Sequence, residues 1–343
     1  MQLLKRSYGI DTYFREAGIV PGLLLLLAVL IPCFCCSLPF ILWGHGYFNP
    51  PTPQPQRTPP STATTISRQA TALASPTAAA AVPTLTLPPA ELLYAQGNAA
   101  YQAGNYTQAI QKYTQVLQLN PNLEQAYVGR GLAYEQKGEW AAALPDFDQA
   151  IQLQPNDWLA YNGRGYFYAA QGQTTRALAD YNQALELKAD NPVVFFNRGN
   201  VYYAIGSYSQ AVADYTQALR LKPDYWYAYL NRGLSYDQQG AYDQALADYT
   251  QAIKLDPKGE NAYAKRSLTY YHKGNYNQAL TDANKALQID PIDGFAHYVR
   301  GLIAIQTGDP TKARAELQRA LDLTTSVTLR LEIKDRLASL AGK

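Results

Sequence analysis

The feature that most constrains this chain is a repeat of 34 residues. The copy that begins at Trp226 reads "WYAYLNRGLSYDQQGAYDQALADYTQAIKLDPKG", and a less regular copy begins at Ala90. Five further copies fall into register without a gap, and they begin at Glu124, Trp158, Pro192, Glu260 and Gly294. A chain with this period builds a stack of similar units that contact only their neighbours. Its length of 343 residues therefore does not imply two compact domains.

The recurring residues predict that each copy is a helical hairpin. Counting the first residue of a copy as position 1, small residues recur at positions 8 and 20, where two helices must approach closely. Large residues at position 4 and aromatic residues at position 24 should fill the space between hairpins. A glycine at position 15 can end the first helix in a left-handed conformation, and a proline at position 32 can stop the second.

This pattern resembles the tetratricopeptide repeat, whose marks lie at these positions. The resemblance covers about three quarters of the chain. It implies an all-α fold, a right-handed α-solenoid of seven helix-turn-helix repeats. The amphipathic sequence "TLRLEIKDRLASL" that follows predicts a C-terminal capping helix at 328–341, because the end of a solenoid must cover its last apolar face. The seven repeats are 90–123, 124–157, 158–191, 192–225, 226–259, 260–293 and 294–327.

The residues before the repeats predict a membrane anchor and a spacer. Residues 19–43 carry no charge and can cross roughly 30 Å of hydrocarbon as one transmembrane helix. A cleaved signal peptide is the alternative interpretation. Residues 44–89, rich in proline, threonine and alanine, predict a disordered, extended linker. Three basic residues in the short segment 1–18 predict a cytoplasmic N-terminus, with the repeats outside the cytoplasm.

Composition argues against several classes of function. After residue 89 the chain carries 24 basic and 25 acidic residues, a balance that argues against binding to nucleic acid. The three cysteines all lie within 19–43, so the repeats contain no disulfide and no thiolate metal site. No motif pairs His45, His272 or His297 with a nucleophile or a metal ligand. We therefore expect no enzymatic activity, no metal and no cofactor.

A second periodic signal concerns charge at positions 7 and 23. Six copies combine an arginine with an acid, whereas the first copy has Gln96 and Lys112 instead. Residues that change as a pair predict a contact, so we interpret this set as a structural ion-pair ladder. The alternative is that the arginines form an anion-binding stripe. The pairs are Arg130 with Asp146, Arg164 with Asp180, Arg198 with Asp214, Arg232 with Asp248, Arg266 with Asp282 and Arg300 with Glu316.

The family resemblance also implies a binding groove lined by the first helices. Its surface would be rich in aromatic and amide side chains, which suit a peptide backbone. For each aromatic residue the alternative is packing between hairpins. Phe196, Tyr203 and Tyr227 are the expected anchors. The predicted groove residues are Tyr94, Asn98, Tyr101, Tyr166, Phe196, Asn200, Tyr203, Tyr227, Asn231, Tyr271 and Tyr298.

Together these features predict a scaffold that is tethered to a membrane by one N-terminal helix. Its groove would hold a peptide segment or protein partner during assembly of an envelope complex. The alternative function is recognition of a glycan or cell-wall polymer by the aromatic groove.

Overall fold

A computed structural model of the chain describes residues 89–341. Over this range it contains fifteen α-helices and no strand, which confirms the all-α prediction for these residues. The predicted transmembrane helix 19–43 and nearly all of the linker 44–89 lie outside the described residues. None of the helices within 89–341 combines the length and the hydropathy needed to cross a membrane.

The helices form seven consecutive hairpins and one final helix. The first helices of the hairpins are α1 Pro89–Gln102, α3 Glu124–Gln136, α5 Trp158–Ala170, α7 Pro192–Ala204, α9 Trp226–Gln238, α11 Glu260–His272 and α13 Gly294–Gln306. The second helices are α2 Tyr106–Leu119, α4 Trp140–Leu153, α6 Thr174–Leu187, α8 Tyr208–Leu221, α10 Tyr242–Leu255, α12 Tyr276–Ile289 and α14 Pro310–Leu323. The final helix is α15 Val327–Ala341, which includes the segment predicted to form a cap.

Each hairpin turns at the glycine of position 15. The seven glycines have φ between 69° and 78°, the left-handed conformation expected from the sequence. In the first turn the amide of Gly104 donates to the carbonyl oxygen of Tyr101 over 3.0 Å, and the amide of Asn105 donates to that of Ala100 over 2.9 Å. These bonds satisfy carbonyl groups at the end of α1. Glycine adopts this conformation without the steric cost of a Cβ atom.

An aromatic ring at position 24 forms the centre of each of the first five hairpins. Tyr113, for example, is fully buried, and its ring lies between Gly97 of the same hairpin and Gly129 of the next. A Cβ atom built on either glycine would lie 2.7 Å from the ring. The Tyr113 ring therefore needs small residues on both sides, and this requirement joins the first hairpin to the second.

The first helices lie close to one another along the array. Each contacts the first helix of the next hairpin, from α1 through α13, whereas successive second helices make no comparable contact in the described part of the chain. We call the surface that these seven helices present the first-helix face.

The helix α15 packs against the last hairpin. Leu329 and Ile333 are buried in one cluster with Leu302 and Leu317 of that hairpin. The opposite side of α15 leaves Val327 and Leu331 exposed. The helix thus covers apolar surface that a further repeat would otherwise cover.

Candidate functional site

The arginines at position 7 bind the acids at position 23 of the same repeat. In the second repeat, Arg130 donates from Nε and Nη2 to the two carboxylate oxygens of Asp146, over 2.8 and 2.7 Å. Four further pairs share this two-armed geometry, at 2.7 to 2.9 Å, and all five aspartates are only 4 to 5% exposed. In the last pair Arg300 binds Glu316 through Nη2, and Glu316 also lies 2.8 Å from Nδ1 of His297.

In five of these arginines the third nitrogen, Nη1, donates to a residue of the preceding hairpin, a contact that the repeat pattern did not predict. Nη1 of Arg232, for example, donates to Oγ1 of Thr216 over 3.0 Å. The available signal was a polar residue at position 25 of each preceding copy. With these arms engaged inside the protein, the arginines are poorly placed to bind an external anion. The five acceptors are Thr114, Asp148, Asn182, Thr216 and Thr250.

Three aromatic residues predicted for the groove are instead buried. Tyr101 is 5% exposed, and Phe196 and Tyr298 are each 4% exposed. The Phe196 ring lies 4.8 Å from that of Tyr225, which packs against its hairpin, and Tyr298 donates to Glu332 of α15. These three rings pack between helices, as the alternative interpretation holds. Phe196 therefore cannot serve as an exposed anchor, because its surface is already covered by other helices.

The asparagines predicted for the groove support the buried tyrosines. Oδ1 of Asn98 accepts a hydrogen bond from the Tyr113 hydroxyl over 2.7 Å. Oδ1 of Asn200 accepts one from Tyr215 over 2.7 Å and one from Nδ2 of Asn231 over 2.8 Å. These carbonyl groups thus hold the core together, so a ligand would have to compete with internal donors for them.

Four half-buried tyrosines remain on the first-helix face, one from each of four consecutive repeats. Each packs against a neighbouring aromatic ring, which restricts the conformations it can adopt. The ring contacts are Tyr166 with Trp140 at 5.3 Å, Tyr203 with Tyr208 at 5.5 Å, Tyr227 with Trp226 at 3.5 Å and Tyr271 with Tyr276 at 5.7 Å. Side chains held in this way lose less conformational entropy when a partner binds. The remaining predicted residue, Tyr94, is half-buried.

Charged groups also lie beneath this face. Asp237 accepts hydrogen bonds from the hydroxyls of Tyr249, over 2.6 Å, and Thr269, over 2.9 Å, and burial nevertheless raises the pKa of Asp237 to about 6. Nζ of Lys265 lies 3.7 Å from the centroid of the Phe295 ring, and burial lowers the pKa of Lys265 to about 8. Within 89–341 no group of three or more His, Cys, Asp or Glu side chains is arranged to hold a metal ion.

Sequence profiles of the tetratricopeptide repeat match most of the array. No curated protein sequence matches the chain. The profiles described as TPR repeat match residues 97–138, 165–206 and 199–240. Those described as tetratricopeptide repeat match residues 124–157, 226–258, 147–179, 260–293 and 296–326.

Several solved structures share the fold at low sequence identity. A tetratricopeptide repeat protein from Parabacteroides merdae is 19% identical with a TM-score of 0.55, over 74% of this chain and 99% of that one. PilF of Pseudomonas aeruginosa is 19% identical with a TM-score of 0.54, over 62% of this chain and 97% of that one. The Cut9–Hcn1 hetero-tetramer of the APC/C contains a chain that is 14% identical with a TM-score of 0.58, over 72% of this chain and 52% of that one.

Proposed function

Since the chain belongs to the tetratricopeptide repeat family of protein-interaction scaffolds, we propose that it is anchored to a membrane and holds a protein partner on its first-helix face. The partner contributes a peptide segment, and the scaffold serves the assembly of a complex in the cell envelope. The proposal assigns the chain no catalytic activity and no cofactor. It predicts the recognition of a protein, with no binding of nucleic acid.

One observation carries the choice of surface. Tyr166, Tyr203, Tyr227 and Tyr271 come from four consecutive first helices that contact one another, and all four remain half-buried. A tyrosine offers a flat apolar ring and a hydroxyl on a side chain with few rotatable bonds, so it can pack on a peptide and also hydrogen-bond to it. Their order along the array suits an extended segment that crosses several repeats.

The membrane anchor rests on the sequence of the N-terminal segment. Residues 19–43 are uncharged and long enough to span the hydrocarbon layer, and the basic residues closest to this stretch precede it. In this proposal the chain is a single-pass membrane protein with a cytoplasmic N-terminus. Residues 44–89 would carry the repeats away from the membrane surface.

Site-specific photo-crosslinking in living cells tests the proposed surface. A benzophenone amino acid replaces Tyr203 on the first-helix face in one variant and Gln244, an exposed residue of α10, in a matched control. We expect one protein partner to be captured from position 203 and not from position 244. Capture from the control position alone would assign binding to the second helices. Retention on insoluble cell wall without any protein adduct would favour the glycan alternative.

A further inference from the structure

Glu135, on α3, carries a buried carboxyl group without a hydrogen-bond partner among the described residues. The residue is 2% exposed, and neither side-chain oxygen has a hydrogen-bond partner in the described part of the chain. Buried carboxyl groups normally accept hydrogen bonds or pair with a cation, because the surrounding protein replaces the water that would solvate them. An unpaired group of this kind therefore needs an explanation.

Comparison with Asp237 identifies what Glu135 lacks. Both acids occupy position 12 of their repeats. Asp237 accepts hydrogen bonds from Tyr249, at position 24 of its own repeat, and from Thr269, at position 10 of the next. The residues at the corresponding positions around Glu135 are phenylalanines, namely Phe147 and Phe167. The second repeat thus retains the acid, but neither phenylalanine can donate a hydrogen bond to it.

The surroundings of Glu135 are aromatic. Tyr101 and Tyr166 lie on the first helices to either side of Glu135. Burial is the main cause that raises the pKa of both hydroxyls, and the negative charge of Glu135 is the second, so both hydroxyls lie within electrostatic range of Glu135. The hydroxyl of Tyr101 is also buried, and no residue within 89–341 forms a hydrogen bond with it. Burial alone raises the pKa of Glu135 to about 8, with no contribution from a lysine or an arginine.

The buried carboxyl group of Glu135 lies close to the surface assigned to the partner. Tyr166 is one of the four half-buried tyrosines of the first-helix face, and its ring packs against Trp140. A carboxyl group beneath aromatic rings suits an organic cation. Once the carboxyl group has lost its proton, it neutralises the charge of the cation and accepts hydrogen bonds from its N–H groups. The face of the Tyr166 ring attracts the cation and covers its alkyl stem.

We propose that Glu135 and Tyr166 bind the ammonium or guanidinium group of a lysine or arginine side chain in the partner. This inference rests on the proposed function and adds a chemical requirement to it. The cation supplies the N–H donors that Phe147 and Phe167 lack. One basic residue of the bound segment is thereby fixed at the second repeat, which sets the register of the segment along the array.

Matched peptides test the cation directly. One pair consists of acetylated and amidated Ala-Ala-Lys-Ala-Ala and the same peptide with norleucine, which keeps the alkyl chain but lacks the ammonium group. A second pair contains arginine or its neutral analogue citrulline. Binding to the purified full-length chain in detergent is followed by ligand-observed NMR at neutral pH. We expect each cationic peptide to bind at least about tenfold more tightly than its neutral match.

Three variants locate the effect. Glu135→Gln should bring the ratio of affinities for the lysine and norleucine peptides close to one. Glu139→Gln removes the same charge from an exposed residue of the same repeat, which pairs with Lys137 over 2.6 Å, and should leave the ratio unchanged. Phe147→Tyr restores the hydroxyl that Tyr249 provides to Asp237. It should raise the melting temperature of the chain and lower its preference for lysine.

Several outcomes would overturn the inference. One is that the native chain binds the lysine and norleucine peptides equally well, or binds neither at millimolar concentration. Another is that Glu135→Gln leaves the ratio of the two affinities unchanged. A stabilised Phe147→Tyr variant that keeps the preference would also contradict it. If butylammonium alone binds as tightly as the lysine peptide, the site takes a small free cation instead. If the crosslink from position 203 persists in Glu135→Gln while no preference for lysine exists, the scaffold function stands and only the cation site fails.

Discussion

Glu135 and Asp237 occupy the same position in two different repeats, yet their hydrogen-bonding environments differ. Asp237 accepts hydrogen bonds from two hydroxyl groups, whereas Glu135 accepts none from the residues that the structure describes. Burial raises the pKa of both groups above their ordinary values, and more strongly for Glu135. Each acid thus takes up its proton more readily in the folded chain than in the unfolded chain, which ties stability to pH.

The first prediction concerns Glu135 and the pH dependence of stability. The pKa of Glu135 is about 8 in the folded chain and about 4.5 when the group is exposed in the unfolded chain. The folded chain therefore binds this proton more tightly, and the full stabilisation is present below pH 4.5. This stabilisation is lost as the pH rises towards 8, by at most about 5 kcal/mol. We expect the melting temperature of the native chain to fall over this interval relative to that of Glu135→Gln.

Differential scanning calorimetry at pH values across this interval provides the measurement. Comparison with Glu135→Gln removes the effect of other acids that titrate in the same range, such as Asp237. Parallel melting curves for the two proteins would show that Glu135 titrates at an ordinary value and is therefore solvated.

Helices of neighbouring repeats pack around shared rings, which makes small residues as important as large ones. Phe147 is fully buried between two glycines, and a Cβ atom would lie 2.9 Å from its ring at Gly131 and 2.4 Å from it at Gly163. The ring cannot move away from one neighbour without approaching the other. The two hairpins therefore depend on glycine at both positions.

The second prediction is that Gly163→Ala destabilises the array. Overpacking of the enclosed Phe147 ring should cost about 1 to 3 kcal/mol in chemical denaturation. Gly259→Ala is the matched control, because its Cβ atom would meet nothing closer than 3.4 Å. The control should change stability by less than about 1 kcal/mol. Equal stability of the two variants would mean that the helices separate easily at this joint.

The third prediction concerns the arginines that connect three helices. Arg232 lies on α9, binds Asp248 of α10 through two arms and reaches Thr216 of α8 with the third. Arg232→Ala leaves the buried Asp248 carboxylate without its cation, which should cost about 3 to 5 kcal/mol. Addition of Asp248→Asn should recover part of this loss, because the unpaired charge is then removed.

Chemical denaturation of the full-length chain measures these changes. Arg220→Ala is the control, since Arg220 is exposed and donates only to the neighbouring Gln217 among the residues described. It should alter stability by no more than about 0.5 kcal/mol. A fully stable Arg232→Ala variant would favour the alternative in which these arginines serve a ligand.

Over the whole molecule, partner binding is expected to concentrate where several repeats present tyrosines side by side. The fourth prediction is that Tyr203→Ala or Tyr227→Ala weakens binding of the crosslinked partner by at least about 2 kcal/mol. Both side chains are only half-buried, so truncation should lower the melting temperature much less than the removal of a fully buried ring.

The fully buried Tyr215 provides the contrasting case for these variants. Tyr215→Ala should lower the melting temperature, because it empties the centre of a hairpin. Tyrosine variants of the first-helix face that keep both stability and affinity would show that the partner binds elsewhere on the array.

The fifth prediction places the molecule relative to the membrane. Protease added to intact spheroplasts should cleave within residues 44–89 and release a fragment of the size of residues 90–343. The reason is that the basic residues near the apolar stretch 19–43 lie before it, which favours a cytoplasmic N-terminus. A cytoplasmic protein in the same sample controls for lysis. Complete protection of the repeats until lysis would reverse the topology.

The sequence alone determined the repeat, the family and the hairpins. Tyr113 and its equivalents, the small residues beside them and the glycine at position 15 recur every 34 residues, and each acts on residues near it in the chain. Local rules therefore located the helices, and the paired changes at positions 7 and 23 indicated the ladder. Nothing in such a pattern reports how much of a side chain the neighbouring repeats will cover.

The tertiary structure decided how much of each side chain is covered by the neighbouring repeats. Phe196 and Tyr203 lie on the same helix and were both predicted to face a ligand, yet only Phe196 is buried, because the ring of Tyr225 packs on it. The two residues that could have donated a hydrogen bond to Glu135 are Phe147 of α4 and Phe167 of α5. Their lack of a hydroxyl matters only because both helices pack against α3, which carries Glu135. Burial and pairing depend on contacts between successive repeats, whereas the repeat pattern is a property of each copy by itself.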